Sequence, residues 1–282
     1  MSDRYIPGVP CWADITPPDA EAAVEFYGGL FGWEFENVAP PGAPTPYYIA
    51  RLRGEDVGAI GSDPAGTPAW NTYIWVDDAD ETVAKARAAG GSVLTEPMDV
   101  GPSGRTAVIA DPAGAALHLW QPNQHRGATI VNEHGGVNFN TLETADVDGA
   151  RAFYGAVFGW DLLDSLTMWA LPAYGDFLEA RTPGMRANMA SMGAPERFEE
   201  VVAALQPIDQ GPARWGITFG ADDADAVAAR AVELGGTVTV APFDAPWVRM
   251  TVITDPQGAT FTASQFVPPS QEEAASVAEA HA

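Results

Sequence analysis

Residues 19–35 read DAEAAVEFYGGLFGWEF, and residues 146–162 read DVDGARAFYGAVFGWDL. Both fit the frame D-x6-F-Y-G-x2-F-G-W, at an offset of 127. Working outward, VDDAD at 76–80 recurs as ADDAD at 221–225, and DPAGA at 111–115 recurs as DPQGA at 255–259. Those offsets are 145 and 144. Three ordered matches make the chain a tandem repeat of two halves, about 5–121 and 133–267. A length of 282 residues also predicts roughly two domains. The expected division is a first domain over 1–121, a linker over 122–136, a second domain over 137–267 and an acidic tail over 268–282. The growing offset places about 18 extra residues in the second half, near 192–213. Within them, 196–205 reads as a short amphipathic helix closed by Pro207. The insertion is either surface decoration or a lid over a pocket.

Each half subdivides again. A strand-like run (10–15, 137–142) precedes the helix that carries the Phe-Tyr pair. Thr16 or Asp19 can cap the first such helix, which is expected to end near Gly28 and Gly29, its counterpart near Gly155. Short β runs follow, such as 47–51 and 56–60. A second strand (71–76, 216–220) leads into an acid-started helix that ends at paired glycines, 90–91 and 235–236. Acidic residues suit a helix N-terminus, and glycine suits the left-handed residue after its end. A final β pair is joined by Asp-Pro-x-Gly, a turn sequence. Each quarter therefore reads β-α-β-β-β, and the expected fold class is α+β.

The charge narrows the functions open to this chain. Fourteen basic residues against 38 acidic ones give −24. Such a field repels phosphate backbones and anionic lipid surfaces, so no nucleic-acid or membrane partner is expected. No apolar run reaches the roughly 18 residues of a membrane helix. The start, MSDRYIPGVP, lacks the regions of a signal peptide, and the single cysteine, Cys11, fits a cytoplasmic location. No phosphate-binding loop, dinucleotide fingerprint, G-x-S-x-G or C-x-x-C is present.

The F-Y-x3-F-G-W helix, the acidic start of the second helix and the D-P-x-G hairpin resemble the vicinal oxygen chelate superfamily. That group includes glyoxalase I, extradiol dioxygenases and bleomycin-resistance proteins. The chain is especially similar to two-half actinobacterial members, some carrying a hydroxylase label. The resemblance implies four βαβββ modules forming cupped mixed or antiparallel sheets with helices outside. It also implies metal ligands at one position in the first strand and one in the last strand of each module. Those positions here are Trp12, 59–61, Asn71 and His118 in the first half. In the second they are Phe139, 189–191, Gly216 and Thr262. One imidazole and one weak amide are too few for a divalent ion. The expectation is therefore no metal and no other cofactor.

Residues two apart on a strand share a face. The first cup should present Trp12, Asp14 and Thr16, then Asn71, Tyr73 and Trp75, then His118 and Trp120. The second should present Phe139, Thr141 and Glu143, then Gly216 and Thr218, then Thr262 and Ser264. An aromatic cup with few polar groups suits a planar or conjugated small molecule, although the same aromatics can simply fill the sheet core. His118 with Asp14 is the candidate acid–base pair, in which Asp14 would raise the imidazole pKa. Glu143 is the candidate acid of the second cup. Trp12, Asn71, Tyr73, Trp120, Phe139, Thr141 and Thr262 are candidate ligand contacts. His125 and His134 read as linker surface, and His281 lies in the tail. Arg105 and Arg249 can pair with surface acids or take an anionic substrate. Cys11 points away from the cup and is not a nucleophile.

The expected function is a metal-independent small-molecule enzyme working by proton transfer: an isomerase, cyclase, lyase or hydroxylase-like protein. The alternatives are a metabolite-sequestering protein of the bleomycin-resistance type and a metal-dependent glyoxalase or dioxygenase. Four modules in one chain allow either a monomer or a homodimer.

Overall fold

The computed structural model describes residues 4–268. The acidic tail from residue 269 onward, with His281, lies outside the described residues. The first half contains β1 (Pro10–Ile15), α1 (Ala20–Phe31), β2 (Glu34–Asn37), β3 (Tyr48–Leu52) and β4 (Glu55–Ile60). Its second module contains β5 (Trp70–Trp75), α2 (Ala79–Ala88), β6 (Ser92–Val100), β7 (Gly104–Ala110) and β8 (Ala116–Pro122). The second half opens with β9 (Val137–Thr144), α3 (Val147–Phe158), β10 (Asp161–Leu163) and β11 (Met168–Ala170). Two helices, α4 (Pro172–Arg181) and α5 (Met185–Ser191), intervene before β12 (Val201–Pro207). The last module is β13 (Arg214–Gly220), α6 (Ala224–Glu233), β14 (Thr237–Ala245), β15 (Val248–Thr254) and β16 (Thr260–Phe266).

Each half forms one eight-stranded mixed sheet. The orders are β2-β3-β4-β1-β5-β8-β7-β6 and β10-β11-β12-β9-β13-β16-β15-β14. In both, the first and last strands of a module pair in parallel, and the two modules join antiparallel along their first strands. The α+β architecture of four βαβββ modules is thus the observed one.

Aspartates start four of the helices. Asp19, Asp78, Asp146 and Asp223 each accept a hydrogen bond from a backbone N–H of the first turn, which satisfies an otherwise orphaned donor. Asp19, not Thr16, caps α1. The Phe-Tyr helices run one turn further than expected. Both pass through the Gly-rich stretch and stop at the glycine of F-G-W: Gly32 has φ 71° and Gly159 has φ 72°. Only glycine holds that left-handed conformation without strain.

The insertion also differs from its expected form. Residues 196–205 do not make a helix; Val201–Pro207 is a strand hydrogen-bonded to β9. The extra residues lie earlier, as α4 and α5 between β11 and β12, and α4 packs against the 3-10 turn Phe198–Glu200 and β12. A short apolar run such as VVAAL fits either period, and pairing with β9 decides the outcome.

The repeated motifs lock across the halves. The Tyr27 hydroxyl donates to Asp255 Oδ2 at 3.0 Å and accepts from Trp70 Nε1 at 3.0 Å. Tyr154 does the same with Asp111 Oδ2 at 2.9 Å and Trp215 Nε1 at 3.0 Å. The Phe-Tyr helix of one half is therefore tied to the Asp-Pro-x-Gly turn of the other. A Cβ at Gly91 would lie 2.5 Å from the Phe153 ring, so that glycine admits the opposite half's phenylalanine. Both buried tyrosines have pKa values well above the usual phenol range, first because burial penalises the phenolate and second because the aspartate repels it. In keeping with this exchange, α1 packs with α6, α2 packs with α3, and each of the two hydrophobic cores draws side chains from both halves.

Candidate functional site

Strand pairing places the first cup's side chains side by side. Asp14 on β1 faces Asn71 on β5, Trp12 faces Tyr73, Tyr73 is beside His118 on β8, and Trp120 follows two residues on. Asp14 is only 3% exposed. Its carboxylate accepts three side-chain hydrogen bonds: from Tyr73 at 2.7 Å and Tyr47 at 3.0 Å on Oδ2, and from Asn71 Nδ2 at 2.8 Å on Oδ1. Trp12 Nε1 approaches the Tyr47 hydroxyl at 3.4 Å. Neutral donors, not cations, hold this buried acid. Around it, Tyr47, Asn71, Tyr73 and His118 are half-buried and connect it to the surface.

The tyrosines are donors and not bases. Burial, and then the Asp14 charge, raise the pKa of both Tyr47 and Tyr73 well above the usual value. His118 stands against Tyr73 with ring centroids 4.5 Å apart. Asp14 acts on it through charge without a hydrogen bond. Burial outweighs that attraction, so the imidazole pKa is lowered. The expected upward push from Asp14 is present, but the net shift is downward. At neutral pH the ring is uncharged and offers one donor and one acceptor nitrogen.

Two residues join this cup that the sequence reading left out. Tyr47 comes from the connection between β2 and β3. Its only signal is its place one residue before β3, after a proline-rich run. His125, read as linker surface, packs edge-to-face on Trp12 at 4.4 Å and against Trp120 at 5.6 Å. His134 is likewise half-buried, and its Nδ1 accepts from the backbone of Asp222, just before α6.

The second cup has lost the first cup's polar groups. Phe139, Thr141, Gly216, Thr218, Thr262 and Ser264 occupy the places of Trp12, Asp14, Asn71, Tyr73, His118 and Trp120. Glu143 is present, but it forms an ion pair with Arg214 at 2.7 Å on a partly exposed rim. Arg105 pairs with Asp80 and Asp99, and Arg249 pairs with Asp225 and Asp244. Cys11 is buried and its thiol pKa is pushed up by that burial.

Sheet register also revises one of the chelate positions. Ala59 pairs with Asp14, and the matching pair in the second half is Ala204 with Thr141, not residues 189–191. The full sets are then Trp12, Ala59, Asn71 and His118, and Phe139, Ala204, Gly216 and Thr262. The first set offers a single imidazole and no carboxylate, the second offers neither, and Asn71 is engaged by Asp14, whereas a divalent ion takes several such donors. Among the described residues, no three His, Cys, Asp or Glu side chains cluster as metal ligands. A groove of about 420 Å³ lies elsewhere, beside β10, lined by Leu162, Leu166, Glu196 and Arg197. A void of about 20 Å³ lies beneath Trp12, between Tyr5, Cys11 and Asn140. No helix among the described residues is long and apolar enough to cross a membrane.

The fold and the cup define a tandem, cupped-sheet protein of small-molecule-binding, enzyme-like build. Residues 12–119 match the Glyoxalase/Bleomycin resistance protein/Dioxygenase superfamily, and residues 139–264 match a Glyoxalase-like domain. CFP32 from Mycobacterium tuberculosis (strain CDC 1551 / Oshkosh), provisionally named a glyoxylase, is 40% identical over 94% of this chain and 97% of its own. The anthracycline biosynthesis protein DnrV from Streptomyces peucetius is 34% identical over 92% of this chain and 94% of its own. This chain belongs to the Glyoxalase/Bleomycin resistance protein/Dioxygenase superfamily. Solved structures share the fold at low identity. The 2,3-dioxygenase LapB from Pseudomonas sp. KL28 has a TM-score of 0.62 at 14% identity, covering 95% of this chain and 96% of that one. The Mn(II)-bound glyoxalase from Novosphingobium aromaticivorans has a TM-score of 0.60 at 15% identity, covering 92% and 82%.

Proposed function

We propose that the first cup binds a planar, hydroxyl-bearing conjugated metabolite and moves a proton on it without a metal. The carrying observation is the buried Asp14 carboxylate, held by Tyr47, Tyr73 and Asn71 with no cation in contact among the described residues. A carboxylate held by neutral donors can take a proton from a ligand that displaces one of them. The vacated tyrosine hydroxyl then donates to the oxygen on which charge builds, and its high pKa keeps that proton in place. His118, uncharged, receives from Asp14, through solvent, the proton taken from the ligand and returns it at a second position, so both groups end as they began. The net change is movement of hydrogen within the ligand, so no oxidant or reductant is consumed. Trp12, Tyr73 and Trp120 supply the flat apolar walls. The anthracycline-pathway relative is in keeping with a polycyclic aromatic ligand.

One observation favours the second reading, sequestration of an intact metabolite. Asp14 Oδ2 already accepts from two phenols, and a fully engaged carboxylate is a poor base. Deuterium exchange separates the two. With a hydroxytetralone in deuterium oxide, the wild-type protein should accelerate exchange at the carbon beside the carbonyl. Asp14→Asn and His118→Ala should lose at least about tenfold of that acceleration, within the usual range for a general base. Tight binding without any exchange would replace catalysis by sequestration.

A further inference from the structure

One histidine of the cup has no assigned work. After β8 the chain turns back over the sheet: the backbone N–H groups of Asn123 and His125 both donate to Ser103 O, and Trp120 Nε1 donates to His125 O at 3.0 Å. The segment then threads between the starts of β1 and β4, where Ala128 N donates to Cys11 O and Thr129 N to Asp56 O. These anchors fix the imidazole of His125 against Trp12 and Trp120, two tryptophans of the first cup.

So held, His125 Nε2 is buried and has no hydrogen-bond partner among the described residues. A buried polar atom left unpaired costs free energy, and phenylalanine would fill the same place between two indoles without that cost. Burial also lowers the imidazole pKa, so the ring is neutral and its nitrogens can donate to or accept from an uncharged group. Trp12 links the two ends of the site. One side of it meets His125, and its Nε1 leads through Tyr47 to Asp14.

We propose that His125 is a ligand-binding residue of the first cup, its Nε2 pairing with an oxygen substituent of the ring stacked at Trp12 and Trp120. This rests on the reading of the cup as a site for a planar metabolite. It adds a requirement: the ligand carries polar oxygens at two separated edges, one for Asp14 and one for His125. A ring oxygenated at a single edge makes only one of those contacts.

The test uses quinizarin, a flat ring system with oxygens on both edges of its central ring, and anthracene, which has none. Binding to the full chain is read by tryptophan fluorescence, and stability by urea unfolding. For His125→Phe, the quinizarin dissociation constant should rise about tenfold, the scale of one lost hydrogen bond. Anthracene affinity should be unchanged, and the urea midpoint should be equal to or above that of the wild type. His125→Gln, which keeps a polar atom, should retain more quinizarin affinity than His125→Phe. Equal quinizarin binding by the wild type and His125→Phe overturns the proposal. So does equal weakening in both variants, which assigns the effect to ring packing, and so does a clear fall in the urea midpoint of His125→Phe, which assigns Nε2 a structural partner. Absence of quinizarin binding to the wild type overturns it in a different way, because the reading of the cup fails with it.

Discussion

Replacing Tyr154 by phenylalanine removes one oxygen and strands two partners. The hydroxyl donates to Asp111 Oδ2 at 2.9 Å and accepts from Trp215 Nε1 at 3.0 Å, with Asp111 3% and Trp215 8% exposed. A hydrogen bond to a charged acceptor contributes about 1.5–3 kcal/mol, and a buried donor left unpaired costs about 1–3 kcal/mol. The expected loss is about 3–5 kcal/mol, a large share of the roughly 5–15 kcal/mol that holds a folded chain. At about 2.1 cal/mol/K of unfolding entropy per residue, a chain of 282 residues has about 0.6 kcal/mol/K. The melting temperature should therefore fall by roughly 5–8 °C. The assay is calorimetry of Tyr154→Phe, Asp111→Asn and the double variant. The cycle should show a coupling of about 1.5 kcal/mol or more between two residues from opposite halves. Tyr27→Phe should cost as much, because its contacts to Asp255 and Trp70 repeat the arrangement, and each variant should melt in one transition. A melting temperature within about 1 °C of wild type, a coupling near zero, or two separate transitions would refute the exchange of contacts between halves.

Other outcomes follow from the same contacts. Gly91→Ala should destabilise the fold by several kcal/mol in urea unfolding, because its Cβ would meet Phe153 and the Ala110 carbonyl; Gly32→Ala, with open space but φ 71°, should cost only about 1–2 kcal/mol. In the acid range, the lowered pKa values of His118 and His125 mean that the unfolded chain binds more protons than the folded one. Stability should therefore fall as pH drops below about 6.5, and this slope should diminish in the His118→Phe, His125→Phe double variant when followed by urea midpoints. In the alkaline range, Tyr27, Tyr47, Tyr73 and Tyr154 have raised pKa values. The stability they contribute is constant below about pH 10 and is lost above it as unfolded tyrosines ionise. Phenolate absorbance should show these four titrating only with unfolding.

The repeat made the fold legible because its three offsets carry register as well as homology. Aligning Trp12 with Phe139 and His118 with Thr262 places each on the strand face where it is observed. What the repeat did not carry was partnership. Tyr27 and Asp255 are conspicuous in sequence, yet nothing local says that a helix of one half bonds a turn of the other. Within the cup, alternation found Trp12, Asp14, Asn71, Tyr73, His118 and Trp120. It missed Tyr47, which precedes its strand, and His125, which lies on a connection with no period. A shared strand face is all that suggests an Asp14–His118 pair in the sequence. The observed acid is instead occupied by two tyrosines and an asparagine, groups whose reach depends on side-chain geometry that spacing does not encode.

The proposed function requires one metal-independent ligand site in the first cup, around Asp14. Calorimetric titration of quinizarin into the full chain, after exhaustive dialysis against a chelator, tests it most directly. The expected result is one site per chain, unchanged by the chelator, weakened at least about tenfold by Asp14→Asn and unaffected by Thr262→Ala in the second cup. Two equivalent sites per chain, full affinity in Asp14→Asn, or binding abolished by the chelator and restored by added Mn²⁺ or Zn²⁺ would contradict it.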